Sequence, residues 1–357
     1  GTSTHNSGVL HAGLYYEPNS LKAKLSRKGS EKLKDWCKQN DLPLLECGKL
    51  LIPFNNKDIE RLEKIYEKAK LNNCSVEIVD FDFAKHIQKG ISKQKKYLWS
   101  PLTSVFNPKL IIDKLYRDLK NQGVKFAIEN VIKDDQDKRK LITKSGNEFS
   151  YSRYVNCAGP GALDLVKTVS REYDNFAIMP FLGQYGLQKS GLQINTNLYP
   201  VPDPNLPFLG IHLTPRIKNS VLIGPNAIPS IKRDIQGFDN YDLKNIPSTL
   251  VNSIIMFVQN KQNFRNNAIS EFCINTNKKF ENRSMKFLDE SFRKNFRVEM
   301  DKTTYGIRPQ IIDLKNLSFE NDFIYEKINK NIHIVNAVSP AFTSCFALAD
   351  FIVEKLD

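Results

Sequence analysis

Four short segments of this sequence combine residue types that bind anions or exchange protons. The first is Asn6-Ser7-Gly8-Val9-Leu10-His11-Ala12-Gly13-Leu14-Tyr15-Tyr16, which places two glycines, a histidine and two tyrosines within a few residues. Small residues with accessible amides let the backbone approach a phosphate or the edge of a bound ring system closely. We interpret the segment as a ligand-binding loop, with an ordinary tight loop as the alternative.

The second and third segments each join a predicted strand to a helix. Val155-Asn156-Cys157-Ala158-Gly159-Pro160-Gly161 ends a strand in small residues, where a cofactor can lie over the backbone. Packing against a helix would explain these small residues equally well. Ser339-Pro340-Ala341-Phe342-Thr343-Ser344 runs into an Ala- and Leu-rich helix, whose first amides and dipole suit an anion or a carbonyl group. A plain N-cap is the alternative there.

The fourth segment, Thr304-Tyr305-Gly306-Ile307-Arg308-Pro309, places an arginine between a glycine and a proline. A guanidinium binds a carboxylate through two charge-assisted hydrogen bonds in one plane, which a lysine does less specifically. Arg308 is therefore a candidate carboxylate anchor, with a surface ion pair as the alternative. Lys22 and Arg233 are further candidate anion contacts.

The five histidines are the first candidates for a catalytic base, because imidazole exchanges a proton near neutral pH. His5, His11 and His212 fall in predicted loops or at strand ends, where a base can reach a ligand. His333 lies in the middle of a predicted strand and is interpreted as a core residue. His86 lies in a polar stretch and is predicted to be exposed.

The elements that must position these residues alternate between helix and strand toward both ends of the chain. Apolar periodicity and Pro or Gly boundaries predict helices at 20–40, 56–71, 109–121, 162–169, 240–267 and 343–356. Strands are predicted at 44–53, 75–83, 124–128, 149–155 and 332–335. Residues 176–231 instead contain short strands broken by Gly and Pro, which indicates an antiparallel sheet. The predicted fold class is α/β (mixed α+β), with domains that are discontinuous in sequence.

Composition excludes several classes of protein. The 357 residues are 41% hydrophobic and 25% charged, which is typical of a globular chain of two domains. The net charge of +13 fits anionic lipid or an acidic substrate, and we predict no nucleic-acid partner because no such binding motif accompanies the charge. Six widely spaced cysteines indicate reduced thiols and no metal site. The absence of a long apolar run predicts a cytoplasmic protein, at most peripheral to a membrane.

Taken together, the segments resemble one family, the L-2-hydroxyglutarate oxidases and dehydrogenases of the D-amino-acid oxidase and glycine oxidase superfamily. The resemblance lies in residues 6–16 continued by Ser20-Leu21-Lys22-Ala23, then in Cys47-Gly48-Lys49-Leu50. It continues in residues 199–204, 206–212 and 224–227, and it closes with Gly306-Ile307-Arg308-Pro309-Gln310 and residues 339–344. These segments occur in the same order as in members of the family, and together they span essentially the whole chain.

The resemblance implies a noncovalent FAD, which accepts a hydride from C2 of a 2-hydroxy acid while a base takes the hydroxyl proton. His11 and His212 are the implied base candidates, and the sequence does not choose between them. The implied substrate contacts are Arg308, Tyr185, Tyr305 and Lys22. The implied cofactor contacts are Asn6, Ser7, Gly8, Val131, Ala158, Gly159, Pro340, Ala341, Phe342 and Thr343.

The resemblance also implies two domains. Residues 1–41, 107–172 and 301–357 would form an FAD-binding, Rossmann-like domain, and residues 42–106 and 173–300 would form a substrate-binding domain with an antiparallel sheet. Family members begin with a strand, a GxGxxG turn, a helix and a second strand that ends in an acidic residue for the adenosine ribose. This unit of roughly 30 to 40 residues is absent from the sequence. The chain is therefore predicted to be a fragment that begins after that unit.

Several functional alternatives stay open at this stage. The same fold could act on glycine, a D-amino acid, a methylated amine or glycerol 3-phosphate instead of L-2-hydroxyglutarate, or the fragment could be non-catalytic. Oxygen and a membrane quinone are both open as electron acceptors, and the positive charge would permit loose peripheral contact with anionic lipid.

Overall fold

The computed structural model describes residues 1–203, 209–217, 219–233, 246–260, 264–272 and 276–356. These residues form ten α-helices: α1 (Leu21–Gln39), α2 (Asn56–Leu71), α3 (Phe81–Ile87), α4 (Pro108–Asn121), α5 (Ala162–Lys167), α6 (Ile246–Gln259), α7 (Phe264–Phe272), α8 (Asn277–Ser284), α9 (Glu290–Arg293) and α10 (Ala341–Leu356). Within this part of the chain, no helix is long and apolar enough to cross a membrane.

Nineteen strands lie among the described residues. They are β1 (Val9–Leu10), β2 (Leu44–Leu45), β3 (Lys49–Ile52), β4 (Glu77–Val79), β5 (Tyr97–Ser100), β6 (Ser104–Phe106), β7 (Val131–Asp135), β8 (Lys140–Thr143), β9 (Glu148–Ser150), β10 (Val155–Asn156), β11 (Phe176–Gln188), β12 (Asn197–Pro200), β13 (His212–Pro215), β14 (Val221–Gly224), β15 (Ile228–Pro229), β16 (Val298–Asp313), β17 (Ser318–Phe319), β18 (Ile324–Ile328) and β19 (Asn331–Asn336). The predicted mixed fold class is confirmed.

One large sheet carries most of the strands, in the order β17-β16-β11-β14-β13-β12-β3-β5-β4, with β15 beside β11. It is antiparallel except where β12 runs parallel to β3. Side chains alternate between its two faces. Leu50, Leu198 and Leu213 belong to a core on one face, whereas Leu51 and Tyr199 belong to a second core on the other. The sheet is therefore covered on both faces.

A second sheet, β10-β19-β18, contains the parallel pair β10 and β19. The chain leaves β19 and enters α10 within a few residues, and it leaves β10 and enters α5 in the same way. Both of these connections therefore start from the same edge of the sheet, where the carboxyl ends of parallel strands meet. Such an edge is where α/β proteins usually bind ligands.

Helix α1 packs against α10 at a glycine. The helix begins after Ser20, whose side chain accepts a hydrogen bond from the Ala23 amide at 3.1 Å. A Cβ added at Gly29 would lie 2.5 Å from the Thr343 carbonyl oxygen and 2.6 Å from the Ser344 Cα. Glycine is needed here because any side chain would push the first turn of α10 away from α1.

The predicted helices that lie in the described residues are confirmed, with some shifted ends. The prediction at 240–267 separates into α6 and α7, and 234–245 and 261–263 lie outside the described residues. Three strand predictions are only partly right. The segment 149–155 forms the ends of two separate strands, β9 and β10. The segment 44–53 forms the separate strands β2 and β3, and 75–83 forms the short strand β4 followed by α3.

The strand predicted at 124–128 is wrong. Its alternation of apolar and polar residues is typical of a half-buried strand, but these residues form no strand ladder in the described structure. Val124, Phe126 and Ile128 are 44%, 48% and 102% exposed. A strand needs a neighbour that supplies hydrogen bonds, and none of the described strands lies alongside this segment.

Candidate active site

Strand register places the candidate site on one face of the large sheet. Lys49 pairs with Asn197 in the parallel ladder of β3 and β12, so Tyr199, two residues further along β12, points to the same face as Lys49. Leu198 pairs with Leu213 on the opposite face, which leaves His212 on the face of Tyr199. The sheet itself therefore lines these side chains up.

The ring of His212 has one nitrogen fixed and one without a partner. Its Nδ1 lies 3.1 Å from the Gly210 carbonyl oxygen, and because a carbonyl only accepts, Nδ1 must carry the proton. Its Nε2 is then the nitrogen with a lone pair, and it is buried without a hydrogen-bond partner among the described residues. Burial, followed by the charges of Arg308 and Lys49, lowers the pKa of His212 to about 3. The imidazole is neutral at pH 7 and presents an unused proton acceptor.

Lys49 is a lysine buried in a strand, with no exposed surface. Its Nζ lies 4.5 Å from the ring centroid of Tyr199 and 5.3 Å from that of Tyr15. It also donates a long hydrogen bond of 3.4 Å to the Tyr15 hydroxyl. Burial lowers the pKa of Lys49 to about 7. Among the described residues, no aspartate or glutamate pairs with the Lys49 ammonium.

Arg308 and Tyr185 lie at the other end of the same face. Arg308 pairs with Phe181 across β16 and β11, and Tyr185 follows Phe181 by four residues, which alternation places on the same face. The two side chains share a hydrogen bond. Burial raises the pKa of Tyr185, while the guanidinium of Arg308 acts in the opposite direction. The structure thus places Tyr185 beside Arg308, and both were predicted as substrate contacts.

The loop that contains His11 joins this face to the start of α10. The His11 amide donates to the Thr343 hydroxyl oxygen at 3.2 Å, and that hydroxyl lies 3.5 Å from the Val9 carbonyl oxygen. Gly8 has a φ of +71°, and a Cβ there would lie 2.4 Å from the Phe106 carbonyl oxygen. The Gly8 amide donates to the Asn6 side chain at 2.9 Å, which closes a small turn before β1.

His11 is itself buried, and within the described part of the chain its Nδ1 has no hydrogen-bond partner. Burial, followed by the charges of Lys49, His212 and Lys22, holds the pKa of His11 well below its ordinary value. These charges come from three different elements, so both predicted base candidates share one electrostatic environment. The structure brings His11 and His212 together.

The environment of this cluster is cationic. Among the described residues, no carboxylate contributes to the pKa shifts of His11, His212 or Lys49, whereas Lys49, Lys22 and Arg308 all do. No described carboxylate contributes to the pKa shifts of three buried tyrosines either. Burial is the main cause that raises the pKa values of Tyr15, Tyr185 and Tyr199. Lys49 is a buried cation without an acidic partner among the described residues, which favours an anionic ligand.

Two predicted substrate contacts lie apart from this face. The Lys22 Nζ donates to the Asn321 carbonyl oxygen at 2.5 Å and lies 5.5 Å from the ring centroid of Tyr16. Burial lowers the pKa of Lys22 to about 8, and Asp322 acts in the opposite direction. Tyr305 is three residues from Arg308 on β16, so alternation points it to the other face, where its ring lies 6.4 Å from that of His5.

The predicted cofactor contacts gather mainly at the edge of the second sheet. Ala158 and Gly159 follow β10, and Pro340, Ala341, Phe342 and Thr343 open α10 after β19. Gly159 has a φ of +58°, with open space where a Cβ would lie. Asn6, Ser7 and Gly8 are linked to α10 through Phe106. The Phe106 amide donates to the Gly8 carbonyl oxygen at 2.8 Å, and the ring centroids of Phe106 and Phe342 are 5.0 Å apart. Val131 lies elsewhere, at the start of β7 opposite Thr143.

The core histidine was predicted correctly, whereas Lys49 and Tyr199 were not predicted as site residues. His333 is completely buried, and its Nδ1 lies 3.2 Å from the Asn156 side-chain nitrogen. Lys49 entered the sequence analysis only as part of a family motif. The available signal was a charged residue at the start of the apolar run Leu50-Leu51-Ile52, which is unusual for a strand that is buried along its whole length.

Comparison with known proteins decides the family. The pattern of the FAD dependent oxidoreductase family matches residues 1–355. The chain belongs to this family. It is therefore an FAD-dependent oxidoreductase, and the predicted cofactor and enzyme class are confirmed.

Two relatives from one group of enzymes agree with this assignment. The chain is 30% identical to a mitochondrial L-2-hydroxyglutarate dehydrogenase of Caenorhabditis briggsae, covering 99% of this chain and 83% of the relative. It is 29% identical to the L-2-hydroxyglutarate dehydrogenase of Escherichia coli K12, with the same shares covered. The predicted resemblance to this group is confirmed.

Solved structures support the fold alone. An L-alpha-glycerophosphate oxidase from Mycoplasma pneumoniae is similar with a TM-score of 0.69 and 20% identity, over 99% of this chain and 84% of that one. A glycine oxidase from Geobacillus kaustophilus is similar with a TM-score of 0.69 and 14% identity, over 100% of this chain and 85% of that one.

Proposed function

We propose that this oxidoreductase oxidises L-2-hydroxyglutarate to 2-oxoglutarate. The names of its relatives support this substrate, at identities of 28% to 30%. The family assignment alone would equally fit an enzyme that acts on amines or on glycerol phosphate. The choice among these substrates therefore depends on the chemistry of the site.

The observation that carries the proposal is the cationic face described above. It holds Arg308 beside Tyr185 and the completely buried Lys49 beside Tyr199, with the neutral His212 between them. A 2-hydroxy acid needs a cation for its carboxylate and a neutral base for its hydroxyl proton. A site for a free amine would be expected to contain acidic groups, and no described carboxylate perturbs these residues.

Arg308 is the proposed anchor of the C1 carboxylate, because a planar guanidinium fixes both oxygens and thereby the orientation of C2. His212 is the proposed base. Its Nδ1 donates to Gly210, so its Nε2 is available to take the hydroxyl proton. When bound, FAD supplies the acceptor for the hydride that leaves C2.

The low pKa of His212 is consistent with this role once the substrate is bound. Arg308 and Lys49 lower this pKa by repelling the imidazolium. A substrate with two carboxylates places negative charge beside both cations and cancels much of that repulsion. The imidazole then becomes a stronger base in the complex than in the free protein.

Several groups are suited to hold the cofactor. The first amides of α10 have no intrahelical partners and point from a positive helix end, which favours an anionic group. Gly159 leaves its backbone open, and His11 presents a buried nitrogen without a partner next to Thr343. We propose that residues 6–8, Ala158, Gly159 and 340–343 contact FAD, with His11 between the cofactor and the substrate.

The test is an anaerobic titration of the FAD-loaded protein, followed by absorbance. L-2-hydroxyglutarate is expected to bleach the flavin band, and one equivalent of 2-oxoglutarate should form. D-2-hydroxyglutarate is the control for stereochemistry. Bleaching by glycine, a D-amino acid or glycerol 3-phosphate, with none by L-2-hydroxyglutarate, would assign a different substrate to the same fold.

A further inference from the structure

The charge of the buried Lys49 side chain is not neutralised by any described neighbour. This side chain is completely buried, and two aromatic rings flank the ammonium. The one direct hydrogen bond of this ammonium to a described residue is the 3.4 Å contact with the Tyr15 hydroxyl. A buried ammonium is normally paired with a carboxylate. None of the described aspartates or glutamates pairs with Lys49.

The aromatic neighbours compensate only part of the cost of burying this charge. Cation–π contacts with Tyr15 and Tyr199 are weaker than the loss of hydration of an ammonium. The lowered pKa of Lys49 is a consequence of that imbalance. A chain that kept the lysine for packing alone would be equally or more stable with an apolar residue of similar length.

The position of Lys49 relative to Arg308 indicates which anion would pair with the Lys49 ammonium. Along the sheet, Lys49 on β3 is followed by Tyr199 on β12 and His212 on β13, while Tyr185 on β11 and Arg308 on β16 lie at the far side. His212 feels the charges of both Lys49 and Arg308. Two cations therefore flank one proton acceptor on a single face of the sheet.

A monocarboxylate held by Arg308 would leave the buried ammonium of Lys49 without an anion among the described residues. We propose that Lys49 binds the second carboxylate of a 2-hydroxy dicarboxylate whose first carboxylate is held by Arg308, and that Lys49 thereby sets a preference for dicarboxylates. This inference rests on the proposed function. It assigns the substrate class to a particular side chain of this sequence.

The variant Lys49→Met tests the proposal, because methionine keeps the length of the side chain and removes the charge. It is expected to lower kcat/KM for L-2-hydroxyglutarate by about 10- to 150-fold, the effect of losing one charge-assisted hydrogen bond. For L-2-hydroxypentanoate, which has the same chain length and one carboxylate, kcat/KM is expected to stay equal or to rise. The ratio of kcat/KM for L-2-hydroxyglutarate to kcat/KM for L-2-hydroxypentanoate is therefore expected to fall.

The matched control is Lys70→Met. Lys70 is an exposed lysine on α2 whose Nζ lies 5.5 Å from the ring centroid of Tyr66, so it has the same kind of aromatic contact outside the site. This variant is expected to leave both substrates unaffected. Equal losses for the dicarboxylate and the monocarboxylate in Lys49→Met would overturn the proposal, because a base or a structural lysine would affect both.

A binding measurement separates this proposal from the proposed function. Glutarate carries both carboxylates but no hydroxyl group, and it is expected to raise the melting temperature of the wild-type protein and to do so much less in Lys49→Met. Pentanoate should not distinguish the two proteins. This result would support Lys49 as a dicarboxylate contact even if L-2-hydroxyglutarate were not oxidised. Oxidation of L-2-hydroxyglutarate with no effect of Lys49→Met on preference or on glutarate binding would overturn the Lys49 proposal and leave the function standing.

Discussion

The imidazole of His212 stacks on the phenol ring of Tyr199, with the ring centroids 4.0 Å apart and the planes inclined by 18°. Tyr199 is completely buried, and the ammonium of Lys49 lies 4.5 Å from its ring centroid. The ring orientation of His212 is thus set by stacking and by the hydrogen bond from Nδ1 to Gly210. A base that is held in this way needs little reorganisation when the substrate binds.

Replacing His212 should therefore affect the chemical step more than it affects binding. His212→Gln is expected to lower kcat by about 10²- to 10⁴-fold, the usual contribution of a positioned general base. The dissociation constant for glutarate should change much less. Stopped-flow measurement of flavin reduction gives the first quantity, and thermal shift gives the second.

The comparison variant is His11→Gln, which alters the other predicted base. We expect a smaller loss of kcat from this change, because the backbone amide of His11, and not its ring, makes the hydrogen bond to Thr343. If His11→Gln slows flavin reduction more than His212→Gln does, the assignment of the base must be exchanged.

The pH dependence of turnover should differ between the free enzyme and the complex. The pKa of His212 is lowered to about 3 by burial and by the charges of Arg308 and Lys49. Bound carboxylates oppose those charges and raise this pKa, and a base must be unprotonated to act. The acid limb of kcat, which reports the complex, is therefore expected at higher pH than the acid limb of kcat/KM, which reports the free enzyme.

Profiles of both parameters over a wide pH range, in a buffer of constant ionic strength, provide the measurement. In Lys49→Met, the repulsion from Lys49 is absent, so the acid limb of kcat/KM should move to higher pH than in the wild-type protein. Coincident limbs in the wild-type protein would contradict the electrostatic coupling between substrate and His212.

Arg308→Lys should raise KM for the 2-hydroxy acid and lower kcat/KM while the flavin content stays normal. The guanidinium fixes a carboxylate in one plane, whereas an ammonium has no preferred plane. Losing one charge-assisted hydrogen bond should cost about 1.5 to 3 kcal/mol, or on the order of 10- to 150-fold in kcat/KM. Steady-state kinetics and the absorbance ratio of flavin to protein test both parts.

Two control variants are compared with Arg308→Lys. Arg27→Lys makes the same chemical change at an exposed ion pair with Glu31 and should have no effect on turnover. His333→Gln alters a completely buried residue and should lower the melting temperature before it alters turnover of the folded protein. Normal kinetics for Arg308→Lys would require another anchor for the C1 carboxylate.

The elements that the sequence predicted well are those with a local signal. The helix at 20–40 has an apolar period and the cap residue Ser20, and the structure has α1 there. The motif around Arg308 indicated a residue of the candidate site because an arginine between Gly306 and Pro309 is unusual locally. Such signals need no knowledge of distant neighbours.

The failures depended on partners far away in sequence. The alternation at 124–128 specifies a strand only if another strand pairs with it, and no local pattern reports that. Lys49 became a site residue because β12 brings Tyr199 beside it from about 150 positions further along the chain, a pairing that arises only when the sheet forms. The family resemblance implied Tyr305 as a substrate contact together with Arg308, whereas strand alternation points the two side chains to opposite faces of the sheet.

The close approach of α1 and α10 leads to the last prediction. Gly29→Ala is expected to lower both the melting temperature and the FAD content, because the new Cβ would lie 2.5 Å from the Thr343 carbonyl oxygen. The first turn of α10 would have to move, and with it the hydroxyl that accepts the His11 amide. Overpacking of this kind costs about 1 to 3 kcal/mol. Alanine is the better helix former by about 1 kcal/mol, so a net loss of stability reports the clash and not the helix propensity.

Ser30→Ala is the matched control, because it introduces alanine at the next buried position of α1 without adding volume. It should leave the FAD content unchanged. Thermal unfolding and the absorbance ratio of flavin to protein are measured on both variants in parallel. Should Gly29→Ala retain wild-type stability and full flavin, the first turn of α10 would be free to move without disturbing the cofactor, and the proposed contacts of 340–343 with FAD would lose their support.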